Sequence, residues 1–369
     1  MIVRKIFSIV ILALVASGAW GYNEYWETSD TVTKKNGFWH NLGARLERFN
    51  AIDTNYIEPQ HYNFTIMAQA TTTYEIYRLK SKSGQSILFA PENAVKVGPF
   101  FGWQWVFFGY TFDMSHIKNN MKKEWDLSIY SSMIGIDLFY RKTGNDYKIR
   151  AVDFGNDVNT DALKGIPFPG LNVGIKGFNI YYIFNHKKFS YPAAFSQSTC
   201  QKRSAGSALI GIGYTRHTLD LDYEKLQQTF EARMPDYSEK LDSGLMFNKV
   251  KYTDFSISGG YAYNWVFANN WLFAASLSLA VSYKRATGDL QKEQSLLRDF
   301  SFNNLSLDGV GRFGLVWNNT KWYGGASAIL HTYNYRKPQF RTNNFFGNVN
   351  IYFGLNFGKK KNYRISKNK

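Results

Sequence analysis

The sequence predicts an all-β protein, a single antiparallel transmembrane β-barrel of about 12 strands within a range of about 10–14. Three observations predict it. Apolar and polar side chains alternate with period two along many segments, these segments are too long for ordinary soluble strands, and the connections between them alternate between short and long.

Successive side chains of a strand point to opposite faces, so period-two alternation separates an apolar from a polar face. Val349, Ile351, Phe353, Leu355 and Phe357 alternate with Asn348, Asn350, Tyr352, Gly354 and Asn356. Trp271, Phe273, Ala275, Leu277, Leu279, Val281 and Tyr283 alternate with Ala274, Ser276, Ser278, Ala280 and Ser282. Near the start, Tyr62, Phe64, Ile66, Ala68 and Ala70 do the same against Asn63, Thr65, Gln69 and Thr71. The runs extend over roughly 11–17 residues, against about 5 or 6 in soluble strands and about 9–11 for a tilted membrane-spanning strand.

The expected strands are 62–78, 94–104, 106–116, 124–140, 147–155, 171–185, 206–218, 250–266, 271–285, 303–318, 321–335 and 346–358. Within 124–140 the parity slips near Ser131, where a β-bulge is expected. Short connections follow the second, fourth, eighth and tenth strands, at Trp105-Val106, Lys142-Asp146, Phe267-Asn270 and Asn319-Thr320. Longer ones follow the odd-numbered strands. Bacterial barrels place short turns in the periplasm and longer loops outside, so both chain ends are expected in the periplasm. The link from His186 to Ala205 is the exception, a long connection on the short side. Trp103, Trp105, Trp265, Trp271, Trp317 and Trp322 sit beside the short turns, as an aromatic girdle at the headgroup level requires.

The ends of the chain carry their own signals. Arg4 and Lys5 precede an apolar run from Ile6 to Ala16 and small residues up to Gly21, so residues 1–21 are expected to be a Sec signal peptide. A run of about 11 apolar residues is too short to cross about 30 Å of hydrocarbon. Residues 22–60 form an expected periplasmic or lumen-entering segment, with a short helix where Phe38, Leu42, Leu46 and Phe49 fall at helical spacing. Residues 61–358 make the barrel, and 359–369 a basic periplasmic tail holding Lys359, Lys360, Lys361, Arg364, Lys367 and Lys369. The expected location is the cell outer membrane.

Lys and Arg number 44 against 28 Asp and Glu, but outside the tail the excess is scattered, which with export excludes nucleic acid as a partner. The expected partners are outer-membrane lipid and lipopolysaccharide, and the barrel-assembly machinery during biogenesis. The single cysteine, Cys200, rules out an intrachain disulfide and a Cys-based zinc site.

Asp53-Thr54-Asn55-Tyr56-Ile57-Glu58-Pro59, Lys96-Val97-Gly98-Pro99-Phe100-Phe101-Gly102-Trp103, Phe139-Tyr140-Arg141-Lys142-Thr143-Gly144-Asn145-Asp146-Tyr147 and the stretch from Tyr181 to Cys200 together resemble a Bacteroidetes family, domain of unknown function 4421. The resemblance runs over nearly all the mature chain. It implies an outer-membrane origin and supplies no reaction, ligand or catalytic residue.

The chemistry-bearing residues are sparse. His40, His61, His116, His186, His217 and His331 form no His-x-x-x-His or His-Glu-x-x-His pair, so no metal, cofactor or catalytic residue is expected. Lys142-Thr143-Gly144-Asn145-Asp146 reads as a tight turn. The polar parity of the strands makes Glu75, Lys96, Gln104, Asp126, Asp137, Asp308 and Arg312 candidates to line the lumen. The expected function is a non-enzymatic pore, binding or structural role in the cell envelope. The alternative is an outer-membrane lipid- or lipopolysaccharide-modifying hydrolase, because the 186–205 segment holds His186, Ser190, Ser196, Ser198 and Thr199, the residue types of a nucleophile and its base.

Overall fold

In a computed structural model, the described residues run from 52 to 363, apart from 104–105, 110–111, 114–122, 143–145, 156–157, 239–240, 243–244, 246–248, 289–303 and 337–339. The expected signal peptide, the helix around Phe38–Phe49, His40, His116 and the end of the basic tail lie outside them.

Alternating sequence becomes long antiparallel strands. Chain order gives β1 (Ile57–Pro59), β2 (Tyr62–Ser81), β3 (Ser86–Pro91), β4 (Val95–Trp103), β5 (Val106–Gly109), β6 (Phe112–Asp113), β7 (Lys123–Tyr130), β8 (Ile134–Lys142), β9 (Tyr147–Asp153), β10 (Leu171–Ile183), β11 (Thr199–Gln201), β12 (Ala205–Leu221), β13 (Lys249–Ala268), β14 (Trp271–Gly288), β15 (Leu305–Asn318), β16 (Trp322–Arg336) and β17 (Phe340–Lys359). Among the described residues three α-helices interrupt them, α1 (Tyr191–Phe195), α2 (Tyr223–Arg233) and α3 (Pro235–Ser238). The main sheet runs β5-β4-β2-β17-β16-β15-β14-β13-β12-β10-β8-β7; apart from the β2–β17 junction each strand lies beside the next wall strand in sequence, with β3, β9 and β11 left out of the path. β6 continues β5 along β4, with Lys96 opposite Asp113. The first wall strand, β2, pairs with the last, β17, from Tyr62 opposite Lys359 to Ser81 opposite Phe340. The order therefore starts and ends at two strands that are consecutive in sequence, β5/β6 and β7. Among the described residues no register joins those two.

The sheet has the all-β, antiparallel character and the length of strand that the alternation predicts, with four corrections. First, 124–140 is a hairpin rather than one bulged strand. Ser131 N–H bonds to Ile134 O at 2.9 Å, so the parity slip marks a reversal between β7 and β8. Second, 147–155 is not a wall strand: β9 pairs with β3, which takes over from β4 along the upper part of β2. Third, because β8 is bonded to β7 and β10, the Lys142–Asp146 segment closes no hairpin between β8 and β9. Fourth, β17 starts at Phe340, so only residues 337–339 separate it from β16, where a longer loop was expected.

The connections now sort by end. The β4 end at Trp103, the β5 start at Val106, residues 131–133, 269–270 and 319–321, the described chain ends, and the long 184–204 link lie at one end of the wall, called here the lower end. At the upper end are residues 82–94, the described parts of 146–170 and 222–245, and the strand ends at Asp113, Lys123, Lys142, Lys249, Gly288, Leu305, Arg336 and Phe340. The turn at 319–321 is tied by the Asn319 side chain, which accepts hydrogen bonds from the backbone N–H of Trp322 and Lys321.

The two faces of the wall are inverted relative to a soluble sandwich. Ile257, Leu277 and Ile351 are exposed at 66%, 60% and 63%, whereas Lys284 and Arg312 are buried at 2% and 3%. Aromatic residues fill much of the enclosed side, and glycines make room for them. A Cβ on Gly135 would meet the Tyr181 ring at 2.2 Å, and one on Gly354 the Tyr323 ring at 2.3 Å.

Candidate functional site: a polar interior closed at both ends

The inward side chains of the wall line a space that the chain fills from each end. At the upper end, β3, β9 and α2 supply Ile87, Phe89, Ile149, Leu226 and Phe230, which pack on inward-facing Leu79, Val173, Leu219, Tyr252 and Phe340. The Phe89 and Phe168 rings lie 5.4 Å apart. This cap is apolar, and it covers the upper end of the inward face.

At the lower end the 184–204 link turns inward. Ser190 caps α1 by accepting from Ala193 N–H, and Pro192 suits the first helical turn. The short helix packs Ala193 and Ala194 against Leu272, Ala274 and Val316 of the wall. Tyr191 OH lies 2.5 Å from Ser276 Oγ. Asn264 donates to Ser190 O and to Gln201 Oε1, and Gln197 donates to Tyr352 OH at 2.7 Å. β11 pairs with β1, which binds the segment preceding the wall to the same plug. Glu58 anchors that pairing through His61 at 2.7 Å and Lys202 at 3.1 Å. Partial burial pulls the Glu58 carboxyl up, and the hydrogen bonds from His61 and Lys202 outweigh it, leaving the group below its ordinary range.

Between cap and plug lies a layer of paired charges. Arg312 is ion-paired with Asp137, which also accepts from Ser128, and its guanidinium stands 5.1 Å over the Tyr181 ring and 6.0 Å over Tyr191. Lys284 lies 2.8 Å from Asp308 and 3.3 Å from Asp254. Ser282 and the Asn334 backbone N–H complete the Asp308 carboxylate. Glu75 accepts from Tyr147 OH at 3.0 Å and lies 3.8 Å from Arg141, whose guanidinium stacks over Phe346. His331 stacks on Phe346, and His217 on Tyr252 at 4.4 Å. Buried charges persist only when compensated, and here the four acids face three bases inside one enclosed layer.

Of the sequence-predicted lumen residues, Glu75, Asp137, Asp308 and Arg312 are buried on this face, and Lys96 is half-buried on the inward parity of β4. Gln104 and the Asp126 side chain lie outside the described residues. Lys284, Asp254 and Arg141 are the charged members that the sequence reading missed. Their signal was available: Lys284 shares parity with Ser282, Asp254 with Ser256, and Arg141 with Asp137. Of the tryptophans, Trp103, Trp265, Trp271 and Trp322 are exposed, Trp317 is half-exposed opposite Trp271, and Trp105 is outside the described residues.

The 186–205 segment does not assemble a nucleophile and base. Ser190 Oγ is engaged by Thr199 and the α1 cap, and Ser196 by Ser198. The His186 ring lies against Tyr182, and none of these hydroxyls bonds to it. A cavity of about 540 Å³ opens between this link and the turns at 269–270 and 319–321, lined by Cys200, Lys202, Leu272, Val316 and Asn318. Burial pushes the Cys200 thiol up to about 12. A smaller space of about 40 Å³ lies beside Arg312, Asp308 and Tyr333. Among the described residues no cluster of three or more His, Cys, Asp or Glu is placed to hold a metal ion.

The family profile described as Domain of unknown function (DUF4421) matches residues 51–357, which takes in the wall up to Phe357, both end segments and the charge layer. The chain belongs to the DUF4421 family. No curated protein matches this DUF4421 chain. Among solved structures, it is similar to the outer membrane protease OmpT from Escherichia coli, at 7% identity over 80% of this chain and 97% of that one, with a TM-score of 0.32. The toluene transporter TodX of P. putida aligns at 8% identity over 81% and 91%, with a TM-score of 0.22. The attachment invasion locus protein Ail of Yersinia pestis aligns at 8% identity over 78% and 99%, with a TM-score of 0.20.

Proposed function

We propose that this DUF4421 protein is a closed twelve-stranded barrel of the outer membrane with a sealed lumen, acting as a non-enzymatic binding or structural protein of the cell envelope. Pairing of β2 with both β4 and β17 supports closure, because it joins the first and last wall strands and leaves as open edges only β5/β6 and β7, which follow each other in sequence. The inverted faces support the membrane. A belt of exposed Ile, Leu, Val and Phe around a charged interior is unstable in water and stable in hydrocarbon. In this reading the lower end is periplasmic, the tryptophans beside its turns are the girdle, and the charge layer is the filled lumen.

The observation that carries the sealed reading is the double closure, apolar cap above and α1 plug below. A diffusion pore keeps a continuous wet path. Here the ion pairs occupy it. The cavity beside Cys200 and Asn318 is then the place at which a ligand fits from the periplasmic side. The test is ion conductance of the refolded protein in a planar bilayer, with heat-modifiable gel mobility as the folding control. A folded, silent barrel is expected, and steady single-channel steps would overturn the sealed lumen.

A further inference from the structure

The outward face of the wall carries a feature that neither sealing nor a binding role explains. Arg336, Arg341 and Lys80 lie directly opposite one another across β16, β17 and β2, and all three are exposed. Lys176 and Arg216 are likewise opposite across β10 and β12, and Thr253 links them in register to Arg285 on β14. These six cations form no ion pair with any described carboxylate. Among the described residues, the one acid on the outward face of these strands is Asp220, which Lys249 holds at 3.1 Å.

The spacing places the row. Arg336 stands fourteen residues along β16 from Trp322, and Arg285 fourteen along β14 from Trp271. At about 3.3 Å per residue that is roughly 46 Å of strand, or roughly 35 Å along the axis at a tilt of about 40°. An apolar band about 25 Å tall with tryptophan at its lower margin leaves the cations just above its upper margin. That is the headgroup level of the outer leaflet, where unpaired, row-aligned guanidinium groups meet multivalent anions.

We propose that this basic collar binds the sugar-linked phosphate monoesters of the outer-leaflet glycolipid, the lipid A moiety being the probe. This rests on the outer-membrane reading above. Phosphates on adjacent glucosamines present several acceptor oxygens to Arg336 and Arg341 at once, whereas a singly charged phospholipid presents one diester.

The full chain is refolded into phosphatidylethanolamine vesicles containing bis-phosphorylated lipid A, dephosphorylated lipid A or phosphatidylglycerol. Lipid retained after detergent extraction is counted by mass spectrometry, and the heat-modification midpoint is recorded. Wild type should retain bis-phosphorylated lipid A selectively and show a midpoint raised by it alone. Lys80→Gln/Arg336→Gln/Arg341→Gln should weaken retention about 100-fold, at about tenfold or less per cation, and Lys176→Gln/Arg216→Gln/Arg285→Gln independently so. Arg336→Lys/Arg341→Lys should keep most of it. Equal retention of dephosphorylated lipid A or of phosphatidylglycerol, or unchanged retention in both Gln variants, would overturn the collar. A wild-type chain that fails to insert or to show heat-modifiable mobility in any vesicle would overturn the barrel reading and the collar with it, so the two failures are distinct.

Discussion

The hydroxyl of Tyr191, on the 184–204 link that packs on the inward face of the wall, lies 2.5 Å from Oγ of Ser276, on wall strand β14. One bond thus joins the plug to the wall eighty-five residues further along the chain, and the Arg312 guanidinium stands over the Tyr191 ring from β15. The plug is held by aromatic packing together with a hydrogen bond, and these separate experimentally. Tyr191→Phe should cost about 1 kcal/mol, the worth of a buried hydrogen bond, and leave the barrel silent. Tyr191→Ala removes a fully buried ring and should cost about 3–5 kcal/mol. Its loss of packing should also loosen α1 enough for conductance steps to appear in the planar bilayer.

Asp137 and Arg312 are both buried, so removing either strands the other. Asp137→Ala or Arg312→Ala should destabilise by about 3–5 kcal/mol, whereas Asp137→Leu/Arg312→Met should recover most of that loss. The measurement is the urea midpoint for loss of the heat-modifiable band. A double variant no more stable than the singles would show that the pair contributes more than mutual neutralisation.

Those two residues also show what was legible in sequence. Arg312 lies between outward Phe313 and Gly311 on an alternating strand, so parity alone turns it inward, and the same holds for Glu75, Asp137 and Asp308. Parity tells which face a residue takes and nothing of what it meets there. That Asp137 reaches Arg312, 175 residues away in sequence, depends on sheet curvature, a non-local property. The segment around Ile149 failed differently. Tyr147 and Ile149 alternate with Lys148 and Arg150 as a wall strand would, and an irregularity at Arg150 then shifts the phase to Val152, but their partner is Ser86–Pro91, a six-residue strand that carries too little pattern to predict pairing. The Ser131 reversal was visible as a parity change and was misread because a bulge and a tight turn both shift phase by one.

Cys200 reports on the plug without perturbing it. Its thiol is half-buried against the lower-end cavity, and burial pushes it up to about 12. At pH 7 the reactive thiolate is then about 10⁻⁵ of the population, against a few per cent for an ordinary thiol. Maleimide should label the folded protein about 10³-fold more slowly than the urea-unfolded chain. Comparable rates in the two states would mean that the link is not seated against the turn at 319–321.

That reporter gives a pH test of the clasp at Glu58. With its folded carboxyl held below the ordinary range, Glu58 binds fewer protons in the folded state than in the unfolded one. Its stabilisation is therefore complete above the unfolded value, near 4.3, and is lost as pH falls through the lower folded value. The bonds lost are the one to Lys202, which ties β1 to the end of β11 beside Cys200, and the local one to His61. Because the clasp is partly solvent-exposed, its loss is local and not global. Protease cleavage of the 52–60 segment should accelerate below about pH 4 while the heat-modifiable barrel persists. Glu58→Gln, which cannot ionise, should show the faster cleavage at neutral pH and no further acceleration on acidification. Identical pH profiles for wild type and Glu58→Gln would place the acid-sensitive contact elsewhere.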